Sequence, residues 1–236
     1  MVSFCYNFDL YAKRISVYRL ILMDGSAQNE ARANTLKTGT TTVGMVCTDG
    51  VVLASDKRAT MGHFIASKDV TKIFEIDKHL AMTVAGSVGD AQALVRMLRA
   101  EAQLFRLKYG KNMTAKNAST LLANIMFQYK YFPYFVQLII AGKENEGYGM
   151  YSIDAIGGTT EENMTSTGSG SPIAYGVLES NYKQGVVIKD MTQIAVRAVN
   201  TAMKRDSASG ESVDVVVISK SGVKRLARAD VEKMAE

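Results

Sequence analysis

From Thr40 to Ala227 the chain comes in pairs: strands joined by tight turns, then helices, then strands again. Thr40–Thr48 (TTTVGMVCT) is β-branched and reads as a strand. Asp49-Gly50 follows it as a hairpin signal, because these residues accept the positive φ of a two-residue turn, and Val51–Asp56 returns. Lys72–Ile76 and Leu80–Ala85 form a second strand pair around Asp77-Lys78-His79. The period then lengthens from that of a strand to that of a helix. Ala91, Leu94, Val95, Leu98, Ala102 and Phe105 share one helical face, which Gly110 closes. Thr114 caps a second helix carrying Ala118, Leu121, Leu122, Ile125 and Tyr129, and Pro133 stops it. Strands resume at Phe135–Gly142 and Gly149–Ile156. Ser171-Pro172 opens a helix with proline in the first turn, where its missing N–H costs nothing. Asp190 is expected to cap another over Met191–Lys204, before Val213–Ser219 and Val223–Ala227 pair around Lys220-Ser221-Gly222. Antiparallel hairpins and helix pairs in this order suit an α+β chain whose sheets stack face to face with helices on both outer faces.

The 236 residues contain only two prolines and no long polar tract in the middle, so one domain is expected after a distinct N-terminal stretch. Met1–Leu22 mixes aromatics with Lys13, Arg14 and Arg19, which breaks it too often for a signal peptide or a membrane span. Asp24–Gly39 is small and polar and reads as a flexible lead-in. The net charge of +5 is modest, with acidic residues interspersed and no Lys/Arg block, so no nucleic-acid partner is expected. Cys5 and Cys47 make neither a disulfide framework nor a zinc pattern, which favours a reducing compartment and the cytoplasm. His63 and His79 are the only histidines, too few for a multi-histidine metal site. Neither a metal nor a cofactor is expected.

Three segments carry polar residues of chemical interest. They are Gly39-Thr40-Thr41-Thr42-Val43-Gly44, then Ser55–Gly62 (SDKRATMG) with Lys72 beyond it, and Thr167–Pro172 (TGSGSP) with Arg205–Gly210 (RDSASG). Each is ordinary alone: threonines favour strands, charges at a strand end are often solvated, and glycine-serine clusters are often turns. Together with VTKIFEID, VAGSVGDAQALVR and STGSGSPIAYGVLES, they occur in one order over nearly all of the chain after Gly39. In that order and spacing the chain resembles the β subunits of proteasomes, most of all the archaeal type. The resemblance implies an N-terminal-nucleophile hydrolase with a four-layer αββα sandwich. Residues 1–39 would be a removable leader and residues 40–236 the catalytic domain.

The chemistry implied is that of a threonine endopeptidase. A threonine hydroxyl is a weak nucleophile and needs a base nearby. Thr40 would supply its own as a free α-amine, whose reference pKa of about 7.7–8.0 leaves part of it neutral near pH 7. That amine exists only once the Gly39–Thr40 bond is cut, so the precursor is expected to be inactive toward other chains. Gly39, the processing site, leaves the carbonyl unhindered for attack by the Thr40 hydroxyl. By resemblance, Lys72 is a buried cation beside the nucleophile, and Asp56 holds it and keeps it charged. Ser169, Asp206 and Ser209 organise the α-amine, and the Gly86 N–H stabilises the oxyanion. Ala59, Val70, Val84 and Val88 would line the pocket for the residue before the cut bond, with Ile73 or Phe74 nearby. Cys47 reads as a small core residue and His63 as a loop or pocket-wall residue.

Two other readings compete: an inactive scaffold subunit of the ring, and another N-terminal-nucleophile amidohydrolase. Against the first stands the full set Thr40, Asp56, Lys72, Asp206 and Ser209. Against the second stand GSGSPIAYGVLES and RDSASG. The resemblance also implies homo-heptameric β rings stacked on each other and on proteasome α rings, an ATP-dependent unfoldase, and unfolded protein substrates. No membrane partner is implied. Leaders of the archaeal type are short, and Met23 lies 17 residues before Thr40. Met23 is therefore expected to be the translation start, and residues 1–22 an extension.

Overall fold

The computed structural model describes residues 39–235. The strands are β1 (Thr42–Val46), β2 (Gly50–Asp56), β3 (Ala59–Met61), β4 (Phe64–Ser67), β5 (Ile73–Asp77), β6 (Leu80–Gly86), β7 (Val136–Lys143), β8 (Tyr148–Ile153), β9 (Thr159–Glu161), β10 (Met164–Thr167), β11 (Val213–Ser219) and β12 (Gly222–Arg225). The helices are α1 (Val88–Tyr109), α2 (Ala115–Gln128), α3 (Ser171–Asn181), α4 (Ile188–Met203) and α5 (Arg228–Ala235). One sheet runs β10-β1-β2-β11-β12 and the other β5-β6-β7-β8-β9, while β3 and β4 form a hairpin of their own.

Strand alternation builds the layers. In β2, Val52 and Ala54 face α3 and α4, whereas Val51 and Leu53 face the other sheet. In β6, Leu80, Met82 and Val84 face α1 and α2, and Ala81 faces inward between the sheets. The β7 residues Leu138 and Ile140 repeat this division against Ile139 and Ala141. Three apolar layers thus separate four structural ones, and the αββα sandwich expected from the sequence is the fold. Near one end the middle layer turns polar: Thr83 Oγ1 donates to Thr42 Oγ1 at 3.2 Å, and Thr42 and Thr167 share a hydroxyl bond of 2.6 Å.

Helix ends follow local chemistry. Ser87 and Thr114 cap α1 and α2 with their hydroxyls, and Gly110 ends α1 at φ 68°. Asp190 is not the cap of α4: Val187 holds that position, and Asp190 lies in the first turn, where a carboxylate suits the positive end of the helix dipole. α2 stops at Gln128, before Pro133, in a tight turn in which the Phe132 N–H donates to the Tyr129 carbonyl at 2.8 Å.

Two pairings assemble the site. β10 lies against β1 with Thr42 opposite Thr167, although 125 residues separate them. β11 lies against β2 with Val213 opposite Asp56. The segments after β10 and before β11 therefore converge on the start of β1.

Candidate active site

Thr40 stands just ahead of β1 and is 5% exposed. Its hydroxyl donates to the Gly39 carbonyl at 2.6 Å. The Thr40 carbonyl accepts from the Gly170 N–H at 3.3 Å, and the Thr40 N–H donates to Ser169 Oγ at 3.1 Å. Such close approach explains two glycines. A Cβ on Gly168, whose φ is 94°, would run into the Thr40 carbonyl, and one on Gly170 would overlap the Thr41 hydroxyl.

Asp56 ends β2 fully buried and accepts four hydrogen bonds. Lys72 Nζ at 2.7 Å and the Thr41 N–H at 2.9 Å share Oδ1. The Arg58 N–H at 3.1 Å and the Gly210 N–H at 3.0 Å share Oδ2. Backbone donors on three segments thus stabilise the carboxylate, with Lys72 as its one charged partner among these contacts. Burial pulls the Lys72 ammonium below the ordinary lysine value, against the opposing pull of Asp56. Here the expectation that Asp56 keeps Lys72 charged meets a limit: desolvation is the larger influence, so the lysine loses its proton more readily than a solvated one.

Asp206, just after α4, gathers the other polar group. Ser169 Oγ and Ser209 Oγ each donate to its Oδ2 at 2.6 Å, and the Ala208 N–H donates to Oδ1 at 3.2 Å. Ser169 connects this carboxylate directly to the Thr40 nitrogen. Ser209 does not touch that nitrogen; its hydroxyl pairs with Thr41 Oγ1 at 2.7 Å. Arg58 straps the same loop, donating to the Ser207 carbonyl at 3.0 Å and to Glu211 Oε1 at 3.1 Å.

Beside Thr40 opens a cavity of about 420 Å³, with Ala59, Val70, Val84, Val88, Phe74, Lys72 and Gly86 among its lining residues. Ile73 faces the other way, fully buried between the sheets, so Phe74 is the neighbour that lines the cavity. Gly86 ends β6 with a φ of 127°; a Cβ there would collide with the Phe135 carbonyl. Asp69 at the cavity is ion-paired with Lys57.

A proteasome-subunit family model matches residues 36–218, most of the chain. The chain belongs to the proteasome subunit family. A proteasome subunit beta of Methanosarcina thermophila is 53% identical over 195 residues, covering 82% of this chain and 93% of the relative. That of Methanothrix thermoacetophila is 54% identical over 197 residues, covering 83% and 95%. That of Ferroglobus placidus is 50% identical over 199 residues, covering 84% and 95%.

In this proteasome subunit the polar residues singled out from the sequence lie together around Thr40, and the four apolar ones line one cavity. His63 is exposed at the tip of the β3–β4 hairpin and does not line it. Cys47 is buried against α3 and α4, and burial, with Asp49 nearby, pushes its thiol up to about 12. Sequence reasoning passed over Thr41, Arg58, Thr60, Gly168, Gly170 and Ala208. The signal for the glycines was present, since TGSGSP places two of them around Ser169. Among the described residues no group of His, Cys, Asp and Glu could hold a metal, and no helix is long and apolar enough to cross a membrane.

Proposed function

We propose that this chain is an active threonine endopeptidase subunit of a proteasome core, made as a zymogen that cuts itself between Gly39 and Thr40. The observation that carries the reading is the Thr40 hydroxyl 2.6 Å from the carbonyl oxygen of the bond to be broken, beside Lys72 and an apolar cavity. In the resting precursor the hydroxyl proton points at that carbonyl. For attack the proton leaves for a base. The precursor has no free amine at Thr40, so Lys72, made less basic by burial, takes it directly or through water. Thr40 Oγ adds to the Gly39 carbonyl carbon, and the Gly86 N–H stabilises the oxyanion. The C–N bond then breaks as the proton returns to nitrogen, leaving an ester between Gly39 and Thr40 Oγ. Water hydrolyses the ester to a leader ending in the Gly39 carboxylate and a domain starting at the Thr40 amine.

In turnover the same oxygen attacks a substrate carbonyl, and the new α-amine serves as base. Ser169, bonded to Asp206, holds the nitrogen in place. Residues 1–38, which include most of the leader and the expected start at Met23, lie outside the described residues. The leader reading rests on the Gly-Thr junction and on the polar Asp24–Gly39 stretch.

The relatives' names support a place in a proteasome core. We assign the chain to homo-heptameric β rings stacked between α rings in the cytoplasm, fed with unfolded proteins by an ATP-dependent unfoldase. Large exposed apolar side chains, Leu107 and Tyr131 at 81% each, fit a subunit that buries surface against neighbours. The test is intact mass and N-terminal sequencing of the assembled particle. A chain starting at Thr40 with peptidase activity is expected; an uncut, inactive chain would return the scaffold reading, and hydrolysis of small amides alone the amidohydrolase one.

A further inference from the structure

The cavity beside Thr40 is roomy and apolar, yet the residue ahead of the bond to be cut in the precursor is glycine. The geometry at Gly39 resolves this. A Cβ on Gly39 would not point into free space: it would overlap the Ala208 methyl, 2.9 Å from Ala208 Cα and 3.0 Å from Ser169 Oγ. Neither neighbour is free to retreat. The Ala208 N–H is bonded to Asp206, and the Ser169 hydroxyl is held between the Thr40 N–H and the same carboxylate. On its other side, the Gly39 N–H donates to Thr60 Oγ1 at 2.9 Å in a buried bond. Thr60 is itself 5% exposed and sits in β3, the short hairpin strand next to β2 in sequence.

We infer that Thr60 and Ala208 form a clamp specific to the precursor, which fixes the Gly39 carbonyl under the Thr40 hydroxyl and admits only glycine at that position. The inference rests on the self-cleavage proposed above. Both contacts are made to Gly39, so they vanish with the leader. The residue before the bond is then seated differently in the two reactions. In self-cutting, its missing side chain faces Ala208; in turnover, the substrate side chain enters the cavity lined by Val84 and Val88. One threonine thereby processes a glycine junction and still accepts large residues in substrates. Ala208 and Thr60 act here as positioning residues: neither touches the atoms that exchange bonds.

The test follows the rate at which full-length precursor is cut on assembly, read by gel and N-terminal sequencing, with particle formation checked by size exclusion. Gly39→Ala is expected to slow cutting at least about tenfold through the overlap with Ala208. Adding Ala208→Gly to Gly39→Ala removes the worst overlap, with the Ala208 methyl, but leaves the approaches to Ala208 Cα and Ser169 Oγ, so it is expected to restore part of the lost rate, a coupling that general damage to the fold would not produce. Thr60→Val is expected to slow cutting about three- to tenfold by removing the acceptor for the Gly39 N–H, while Thr60→Ser keeps the rate. Peptidase kcat/KM of chains released at Thr40 by an added protease site gives the second readout; the ratio of cutting to turnover should fall in Thr60→Val. Gly39→Ala cut at the wild-type rate, or no rescue by Ala208→Gly in particles that assemble, would overturn the clamp and leave self-cleavage standing. If Ala208→Gly does not assemble, equal cutting by Thr60→Val and Thr60→Ser overturns the clamp, and unequal cutting supports it. A wild-type precursor that is never cut after Gly39 would overturn self-cleavage and the clamp together.

Discussion

Lys72 Nζ lies 2.7 Å from Asp56 Oδ1, and the two side chains are 6% and 0% exposed. The pair is asymmetric. Asp56 also accepts backbone N–H bonds from Thr41, Arg58 and Gly210, so it keeps three partners without Lys72. Lys72 without Asp56 is a buried cation that has lost its ion-pair partner. Asp56→Asn is therefore expected to cost about 3–5 kcal/mol of stability, because the amide brings its own donors to a site that needs acceptors. Lys72→Met should cost clearly less, while removing both processing and turnover by orders of magnitude. Urea unfolding of the unassembled precursor checks the order of the two variants; the reverse order would mean that the lysine, not the carboxylate, organises the site.

Thr40 gives the most direct test of the chemistry. Thr40→Ala should leave the bond after Gly39 intact and abolish peptidase activity while particles still assemble, because the lost hydroxyl makes only a local bond to the Gly39 carbonyl. Thr40→Ser keeps an oxygen in place and should still be cut, more slowly, since it lacks the methyl that restricts the rotamer. N-terminal sequencing and a peptide assay on the same particles read both. An alanine variant that is cut in purified particles and retains near-wild-type activity would remove Thr40 from the mechanism.

Much of this site was readable before the fold. The helices stood out through their apolar residues at helical spacing, and β2, β6, β7 and β11 through long apolar runs, because both faces of these strands are buried. The β3–β4 hairpin did not: Met61, Phe64 and Ile65 are exposed, and strands of three or four residues carry too little pattern. β9, wholly exposed, β10 and the polar helix α5 escaped for similar reasons. Thr40, Asp56 and Lys72, which lie together in the structure, were singled out by their motifs. Thr60 and Ala208 were not, because what marks them is their closeness to Gly39, 21 positions away from Thr60 and much further from Ala208. Small residues announce nothing about what approaches them.

The depressed lysine has a signature in pH. Burial lowers Lys72 below its ordinary value of 10.5, so its neutral, proton-accepting form grows in at lower pH than for a solvated lysine. In the precursor Thr40 carries no free amine, and Cys47, pushed to about 12, does not titrate in this range. The rate of self-cutting should therefore rise with pH along a curve whose midpoint lies below 10.5. Lys72→Arg, whose guanidinium stays charged throughout, should be cut very slowly at every pH. Time courses of cutting across a buffer series decide it. A rate flat through the neutral and mildly alkaline range would show that Lys72 does not accept the proton.

Substrate preference follows from the cavity wall. Ala59, Val70, Val84, Val88 and Phe74 give a predominantly apolar surface to a space of about 420 Å³, enough for a large side chain beside Thr40. Asp69 at the cavity is already ion-paired with Lys57 and is largely exposed, so its attraction for an incoming arginine is screened by water. A Leu, Phe or Tyr seated there gains roughly 1.5–3 kcal/mol from burial. A Glu or Arg would lose hydration against this wall, with only the already paired Lys72 and Asp69 as charged neighbours, at a cost of about 2 kcal/mol or more unless water follows it. Fluorogenic peptides differing only in the residue before the cut should therefore show kcat/KM at least about tenfold higher for Leu or Tyr than for Glu or Arg. Ala59 is the small residue in the wall, so Ala59→Leu should narrow the space and lower the rate for Tyr more than for Ala. Equal or higher kcat/KM for the Glu or Arg peptide would mean that the substrate side chain before the cut lodges elsewhere than against these valines. The threonine chemistry would be untouched by that result, because it depends on the Thr40 hydroxyl and its neighbours rather than on this wall.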